Sequence, residues 1–204
     1  MRRIAHGPVM APPDSDRGVT GDTRLEAPSA ALLPAYEAAL RTGWSPNNLE
    51  DVSGEQLARI EADPAGFIAG YTWEPGQTVT MPDGREVPRL PGQVRWIFDE
   101  EGFCGSINLR HQPGTVDLPS HVLGHIGYAI VPWRRRQGVA TRALRAMLLL
   151  ARGAGLPKVM ITTSPDNGPS QAVIRAVGGV DAGLRPADAL YGEERVFWVD
   201  TGLG

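Results

Sequence analysis

Thiols are nearly absent: the chain of 204 residues contains one cysteine, Cys104. An internal disulfide is thereby excluded, and with no CxxC or Cys/His zinc spacing no metal is expected. Long apolar runs are missing as well. The longest, Ala146 to Ala151, falls far short of the roughly 18 residues of a membrane span. Nor is there an excess of one charge. Twenty Lys and Arg against 23 Asp and Glu give a net charge of −3, which offers no broad electrostatic reason to bind nucleic acid. GxxxxGK[ST] does not occur and no GxGxxG follows a strand-like run, so nucleotide hydrolysis and dinucleotide redox chemistry drop out. Arg2 and Arg3 are followed by Ile-Ala-His-Gly-Pro, which breaks any export-type apolar segment; a cytoplasmic protein is expected.

What is present is ordinary for a globular protein: 42% apolar and 21% charged residues. A domain of this length buries roughly 70% of its unfolded surface and needs no staple. Residues 1–28, with Pro8, Pro12, Pro13 and Pro28, are expected to form an irregular arm, and residues 29–204 one domain. Leu32, Leu33, Tyr36, Ala39 and Leu40 are spaced as a helix that Gly43 ends. Ser53 with Gln56 is a capping-box pattern for a helix to Ala62. Thr78–Met81 and Glu86–Val87, around Pro82–Asp83–Gly84, read as a hairpin, as do Gln93–Phe98 and Phe103–Leu109. The segment His111–Leu123 has no clear periodicity, and loops of that length are more often functional or mobile than decorative. Gly124–Val131 reads as a strand, Val139–Arg152 as an amphipathic helix, Lys158–Thr163 as a strand, Pro169–Val177 as a helix and Arg195–Val199 as a strand.

The strand, loop and helix from Tyr128 to Thr141 carry the chemistry. Backbone N–H groups at a helix start are unpaired and the helix dipole adds positive potential. Gly138 and the small Ala140 allow a phosphate near the backbone, and Arg134–Arg136 supply charge. This combination reads as an anion cradle suited to a pyrophosphate.

Arg135-Arg-Gln-Gly138-Val-Ala140 resembles the [Q/R]-x-x-G-x-[G/A] signature of the GNAT superfamily of N-acetyltransferases. Pro132 stands six residues before Gly138, and Asn167 precedes a helix ending in Gly178, as in that family. Gly124-His-Ile-Gly-Tyr128 and Asn108-Leu-Arg-His111 are similar to a subset of uncharacterised bacterial acetyltransferases. The resemblance spans about residues 93 to 200. It implies a mixed α/β fold of the GNAT acyl-CoA N-acyltransferase type. The largely antiparallel sheet would be splayed at the cofactor site, between Gly124–Val131 and Lys158–Thr163, with helices on both faces. It also implies acetyl-CoA as cosubstrate. Tyr128, Ala129 and Ile130 would pair with the pantetheine arm, with the Ile130 N–H near the thioester oxygen. Arg135, Arg136, Gln137, Gly138, Val139 and Ala140 would hold the pyrophosphate, Thr141 would add a hydroxyl, and Asn167 and Ser170 would flank the pantetheine.

One departure stands out: the tyrosine that protonates the leaving thiolate in many members is Ile174 here. The loss is tolerable, because a thiol of pKa about 8.5 leaves as thiolate at pH 7 for about 2 kcal/mol. An amine of pKa near 10.4 costs about 4.6 kcal/mol to deprotonate, so a base matters more. His125 is the leading catalytic candidate as base, with His111 and His121 beside the long loop. Tyr128 could be the acid, although strand alternation puts it and His125 on opposite faces. Cys104 reads as a small core residue, and Trp44, Trp73 and Trp133 as core or as lining of an acceptor pocket. The expected acceptor is a small-molecule or peptide amine. Two other readings stay open: a non-catalytic acyl-CoA-binding or regulatory protein, and an interaction module whose arginines meet an acidic partner. A homodimer is compatible with the sequence.

Overall fold

The computed structural model describes residues 18–20, 23–81 and 84–202. Strands β1 (Gly18–Thr20) and β2 (Thr23–Glu26) are followed by helices α1 (Leu33–Arg41), α2 (Ser53–Ala62) and α3 (Pro64–Ala69). A small hairpin of β3 (Thr78–Thr80) and β4 (Glu86–Pro88) leads into the long hairpin β5 (Gly92–Asp99) and β6 (Gly102–Arg110). Then come β7 (Ile126–Ile130), a 3₁₀ turn at Pro132–Arg134, α4 (Val139–Gly153), β8 (Lys158–Thr163), α5 (Gly168–Ala176), β9 (Val180–Arg185) and β10 (Glu194–Asp200).

The strands form one sheet ordered β1-β2-β5-β6-β7 and another ordered β8-β10-β9, and every paired neighbour is antiparallel. The two sheets touch where the His125 N–H donates to the Met160 carbonyl at 2.8 Å. Beyond it no ladder joins β7 to β8 among the described residues, so a gap opens between them from residue 126 onward. Each face of the assembly carries its own core. On one, α4 and α5 bury Leu144, Met147 and Ile174 against Ile107, Ile126, Ile161 and Phe197. On the other, α1 to α3 bury Leu40, Ile60 and Phe67 against Trp96, Phe103 and Val131. Tyr36 stacks on Trp96 with centroids 4.5 Å apart at the middle of that second core.

Local sequence accounts for most of this. The apolar stripe of α4 follows helical spacing, and Leu33, Tyr36, Ala39 and Leu40 give α1 its buried face. Several elements differ from the sequence expectation. Within the stretch expected to be irregular, β1 and β2 are strands, and Leu25 is fully buried; residues 1–17 lie outside the described residues. Helix α3 and strand β9 carry no sequence pattern that announces them: α3 is one short turn capped by the Asp63 carboxylate, and β9 is almost wholly exposed. Ser53 makes no capping hydrogen bond; its own N–H is taken by the Asp51 carboxylate at 2.9 Å. In the β3–β4 turn, Pro82 and Asp83 lie outside the described residues.

Arg134 is a correction of functional weight. Its guanidinium turns inward and pairs with Asp99 and Glu101 at the β5–β6 turn, so it adds no charge to the anion cradle. Burial alone would raise the Asp99 pKa, but the Cys104 thiol, Arg134 and the Glu101 N–H together hold it below its ordinary value. Losing Asp99 removes the buried partner and leaves Arg134 only the exposed Glu101, so Asp99→Ala is expected to cost about 1–3 kcal/mol of folding stability in denaturant titration.

Candidate active site

The open edge of β7 is the starting point. Val131 N–H donates to Cys104 O at 3.0 Å and Arg110 N–H to His125 O at 2.9 Å, and the register between them is unbroken. In an antiparallel ladder the bonded residues alternate. Gly127 and Ala129 therefore face β6 with both backbone groups, as do the His125 C=O and the Val131 N–H, whereas Ile126, Tyr128 and Ile130 turn their N–H and C=O groups toward the gap. Two contacts agree with this: Asn48 Nδ2 donates to Tyr128 O at 2.8 Å, and Arg135 Nε to Ile130 O at 3.0 Å. The N–H groups of Tyr128 and Ile130 thus offer an edge to an extended ligand. Ala129 is a correction, because its backbone belongs to the β6 ladder and its side chain is buried in the second core.

At the end of this edge the chain makes the loop ahead of α4. Arg136 and Gly138 both adopt left-handed backbone, with φ of 61° and 76°, and Gly138 is the N-cap of α4. A left-handed residue followed by a helical one converges successive N–H groups into an anion-binding concavity. The first-turn N–H groups of Val139, Ala140 and Thr141 have no partner within the helix and extend it. Val139 itself is buried, so only its backbone can serve. Arg142 braces the loop, donating to Gln137 O at 3.0 Å and to the Thr23 hydroxyl at 2.7 Å. A Cβ added to Gly138 would lie 2.9 Å from Arg142 Nη1.

A cleft of about 680 Å³ passes through the gap and joins the two faces. Tyr128, Asn167 and Ser170 line its α5 side, and the Tyr128 hydroxyl lies 2.9 Å from Ser170 Oγ. Burial pushes the Tyr128 pKa up, with the Ser170 contact working against it, so the phenol keeps its proton. Asn167 caps α5, its Oδ1 accepting the Ser170 N–H at 3.1 Å, which leaves Nδ2 as the donor for a ligand carbonyl. Ile174, at the position of the missing tyrosine, is fully buried in the first core.

His125 is not placed for proton transfer. It is fully buried, does not line the cleft, and its Nδ1 accepts the Met160 N–H at 2.9 Å. Burial, the largest influence, pushes its pKa down to about 4. Its role is to tie the two sheets together below the gap. A histidine neutral in the fold but titrating near 6.5 when unfolded lends stability above that pH, lost as pH falls toward 4. The difference in stability between wild type and His125→Ala should therefore shrink by about 2 kcal/mol between pH 7 and pH 4.5. Denaturant titrations at pH 7 and pH 4.5 measure it. Of the other histidines, His121 lines the cleft, and burial lowers the His111 pKa.

The carboxylate that the sequence did not reveal is Glu194. It opens β10, lies on the face opposite Phe197 and Val199, and lines the cleft while 7% exposed. Burial raises its pKa, against a hydrogen bond from Thr162 and the charge of Arg185. A carboxylate so placed is a stronger base than a solvated one. Trp73 lines the cleft and donates to Arg89 O at 3.0 Å; Trp44 is core and Trp133 is exposed. Cys104 is buried and its thiol pushed up to about 12, which removes it as a nucleophile.

Residues 48–180 match the sequence profile of the acetyltransferase (GNAT) domain. Among solved structures, Mycobacterium smegmatis RimJ in complex with CoA-disulfide is similar at a TM-score of 0.61 and 19% identity, over 87% of this chain and 81% of that one. The microcin C7 self-immunity acetyltransferase MccE, in complex with acetyl-CoA and AMP, is similar at 0.55 and 13%, over 89% and 93%. A ribosomal-protein-S5-alanine acetyltransferase from Vibrio fischeri is similar at 0.56 and 13%, over 92% and 97%. A search of curated proteins finds no match. The expected mixed α/β fold, with its splayed antiparallel sheet, is borne out.

Proposed function

Because the chain belongs to the GNAT acetyltransferase family, we propose that it moves an acetyl group from acetyl-CoA to a primary amine by direct attack. The observation that carries this reading is the cleft that runs from Tyr128, on the open edge of β7, through the gap to the buried Glu194 carboxylate. The coenzymes bound to RimJ and MccE support the choice of cosubstrate.

The residues fit that cosubstrate. The left-handed loop at Arg136–Gly138 and the α4 N-terminus suit a pyrophosphate, with Arg135, Arg136, Gln137, Ala140 and Thr141 around it. The Tyr128–Ile130 edge and Asn167 Nδ2 suit the amides of an extended arm. When bound, acetyl-CoA supplies an acyl thioester activated toward amines. The Ile130 N–H then provides a fixed donor for negative charge developing on an acyl oxygen. Glu194 takes the proton from the attacking nitrogen as the new bond makes that nitrogen acidic. Tyr128, held by Ser170, returns a proton to the departing sulfur.

Since that sulfur leaves unaided for about 2 kcal/mol at pH 7, Tyr128→Phe should lower kcat by no more than about 30-fold. The deficit should vanish above pH 9. Thiol release from acetyl-CoA across a panel of primary amines tests the whole reading. Amine-dependent release is expected. Binding of acetyl-CoA without it would favour a non-catalytic acyl-CoA-binding protein, and no binding at all an interaction module.

A further inference from the structure

The cleft carries a charge that its acetyl-transfer chemistry does not use. Arg110, the last residue of β6, is half-buried and lines the cleft. Its Nε donates to Gly124 O at 2.8 Å, which fixes the plane of the guanidinium. Among the described residues no carboxylate pairs with it, and burial lowers its pKa. The other arginines near the cleft are occupied. Arg89 donates to Gly70 O at 3.0 Å, Thr72 O at 3.3 Å and Gln77 Oε1 at 2.9 Å, and Arg185 pairs with Asp188 at 2.5 Å. Among the described residues the lining holds Arg89 and Arg110 against one acidic side chain, Glu194, a positive balance.

A second unsatisfied group lies beside Arg110. Asn108 occupies the same face of β6, two residues earlier, and its Oδ1 is buried without a hydrogen-bond partner. Both side chains sit over Gly127: a Cβ there would lie 3.6 Å from Asn108 Oδ1 and 3.8 Å from Arg110 Nη2. Gly127 is the immediate neighbour of Tyr128, whose backbone forms the reactive edge. An acceptor of N–H groups and a planar donor fork therefore stand side by side within one residue of the reaction site. Glu194 faces the same side of the gap.

We propose that the acceptor is an aminocarboxylate, an amine with a carboxylate a few atoms away, whose carboxylate is bound by the Arg110 fork and whose nitrogen is held by the Asn108 side-chain amide, turned to present its oxygen to the cleft that Glu194 lines. This rests on the acetyl-transfer reading and adds the class of acceptor. A planar guanidinium matches a carboxylate through two parallel hydrogen bonds, and a ligand carboxylate compensates a charge that is otherwise desolvated without a partner. The same chemistry is offered by a free amino acid and by a peptide whose first residue is Asp or Glu.

The test compares matched acceptors at saturating acetyl-CoA, read as thiol release. One arm pairs free amino acids (α, β and γ) with their carboxamides. A second pairs C-terminally amidated peptides starting with Asp or Glu with those starting with Asn or Gln. In at least one arm kcat/KM should favour the carboxylate by about 10- to 100-fold, the range of a charged hydrogen-bond pair, and the arm that shows it identifies the source. In Arg110→Gln that ratio should collapse toward one. Arg110 also braces Gly124, so a wild-type measurement guards against a misfolded variant. Amine-free carboxylates of the preferred length should compete with the acceptor and not with acetyl-CoA, and their amides should not. Equal turnover of acids and amides in both arms, or amine-free carboxylates no better than their amides, overturns the inference while amine-dependent thiol release leaves acetyl transfer standing. Absence of acetyl-CoA binding removes both.

Discussion

Glu194→Gln is expected to lower kcat by roughly 10²-fold or more with little change in acetyl-CoA affinity, the range of a lost general base. The effect is large because the amine is the reluctant partner: at pH 7 an alkylamine costs about 4.6 kcal/mol to deprotonate, more than twice what the thiol needs. Burial raises the Glu194 pKa, so the wild-type rate should fall on an acid limb lying above the ordinary carboxylate value of 4.5. The variant should lack that limb. Stability should move the other way. A carboxyl whose folded pKa is raised binds more protons in the fold than when unfolded. Its charge therefore opposes folding as pH rises through that interval and beyond. At neutral pH Glu194→Gln should be at least as stable as wild type, so lost turnover cannot be put down to unfolding. Paired pH–rate profiles and thermal melts check both halves, and an unchanged acid limb would remove Glu194 as the base.

Gly138→Val is expected to weaken acetyl-CoA binding by about 10²-fold or more. The φ of 76° at this position is costly for any L side chain and worst for a β-branched one. The new Cβ would also lie 2.9 Å from Arg142 Nη1, the group that braces the loop through Gln137 O. Arg142 Nη1 can swing aside, but that releases its hold on Gln137 O, and relief of the strained φ unwinds the loop and scatters N–H groups that serve an anion only while they converge. Loss of one or two charge-assisted hydrogen bonds accounts for the size of the effect. Thermal stability should change far less than affinity, since the loop is at the surface. Calorimetry with desulfo-coenzyme A isolates binding from turnover, and an affinity within a few fold of wild type would locate the pyrophosphate elsewhere.

The features legible in the sequence were those written in short-range pattern. The stripe of α4, the glycine ahead of it, the alternation in β7 and the two hairpins each depend on residues within a turn or two of one another. Alternation even separated Tyr128 from His125 correctly. What it could not give was the direction of a single side chain. His125 has the right chemistry and the right strand, but its ring faces Met160 instead of the cleft. Arg134 sits in a run of three arginines, and only the partner Asp99, thirty-five residues away, reveals that it turns inward. Glu194 had no local signal because β10 meets the cleft only through its pairing with β8. Asn48, in the loop between α1 and α2, reaches Tyr128 across eighty residues for the same reason. Strand β2 offers four residues with one apolar side chain, too few for a periodicity, and depends on the neighbouring β5 to exist.

The most direct test of the account is a calorimetric titration of the wild-type protein with acetyl-CoA and, separately, with desulfo-coenzyme A. Saturable binding of both at one site per chain is the result expected of the Gly138 loop and the Tyr128–Ile130 edge. No binding of either, by a protein shown to be folded, would contradict it.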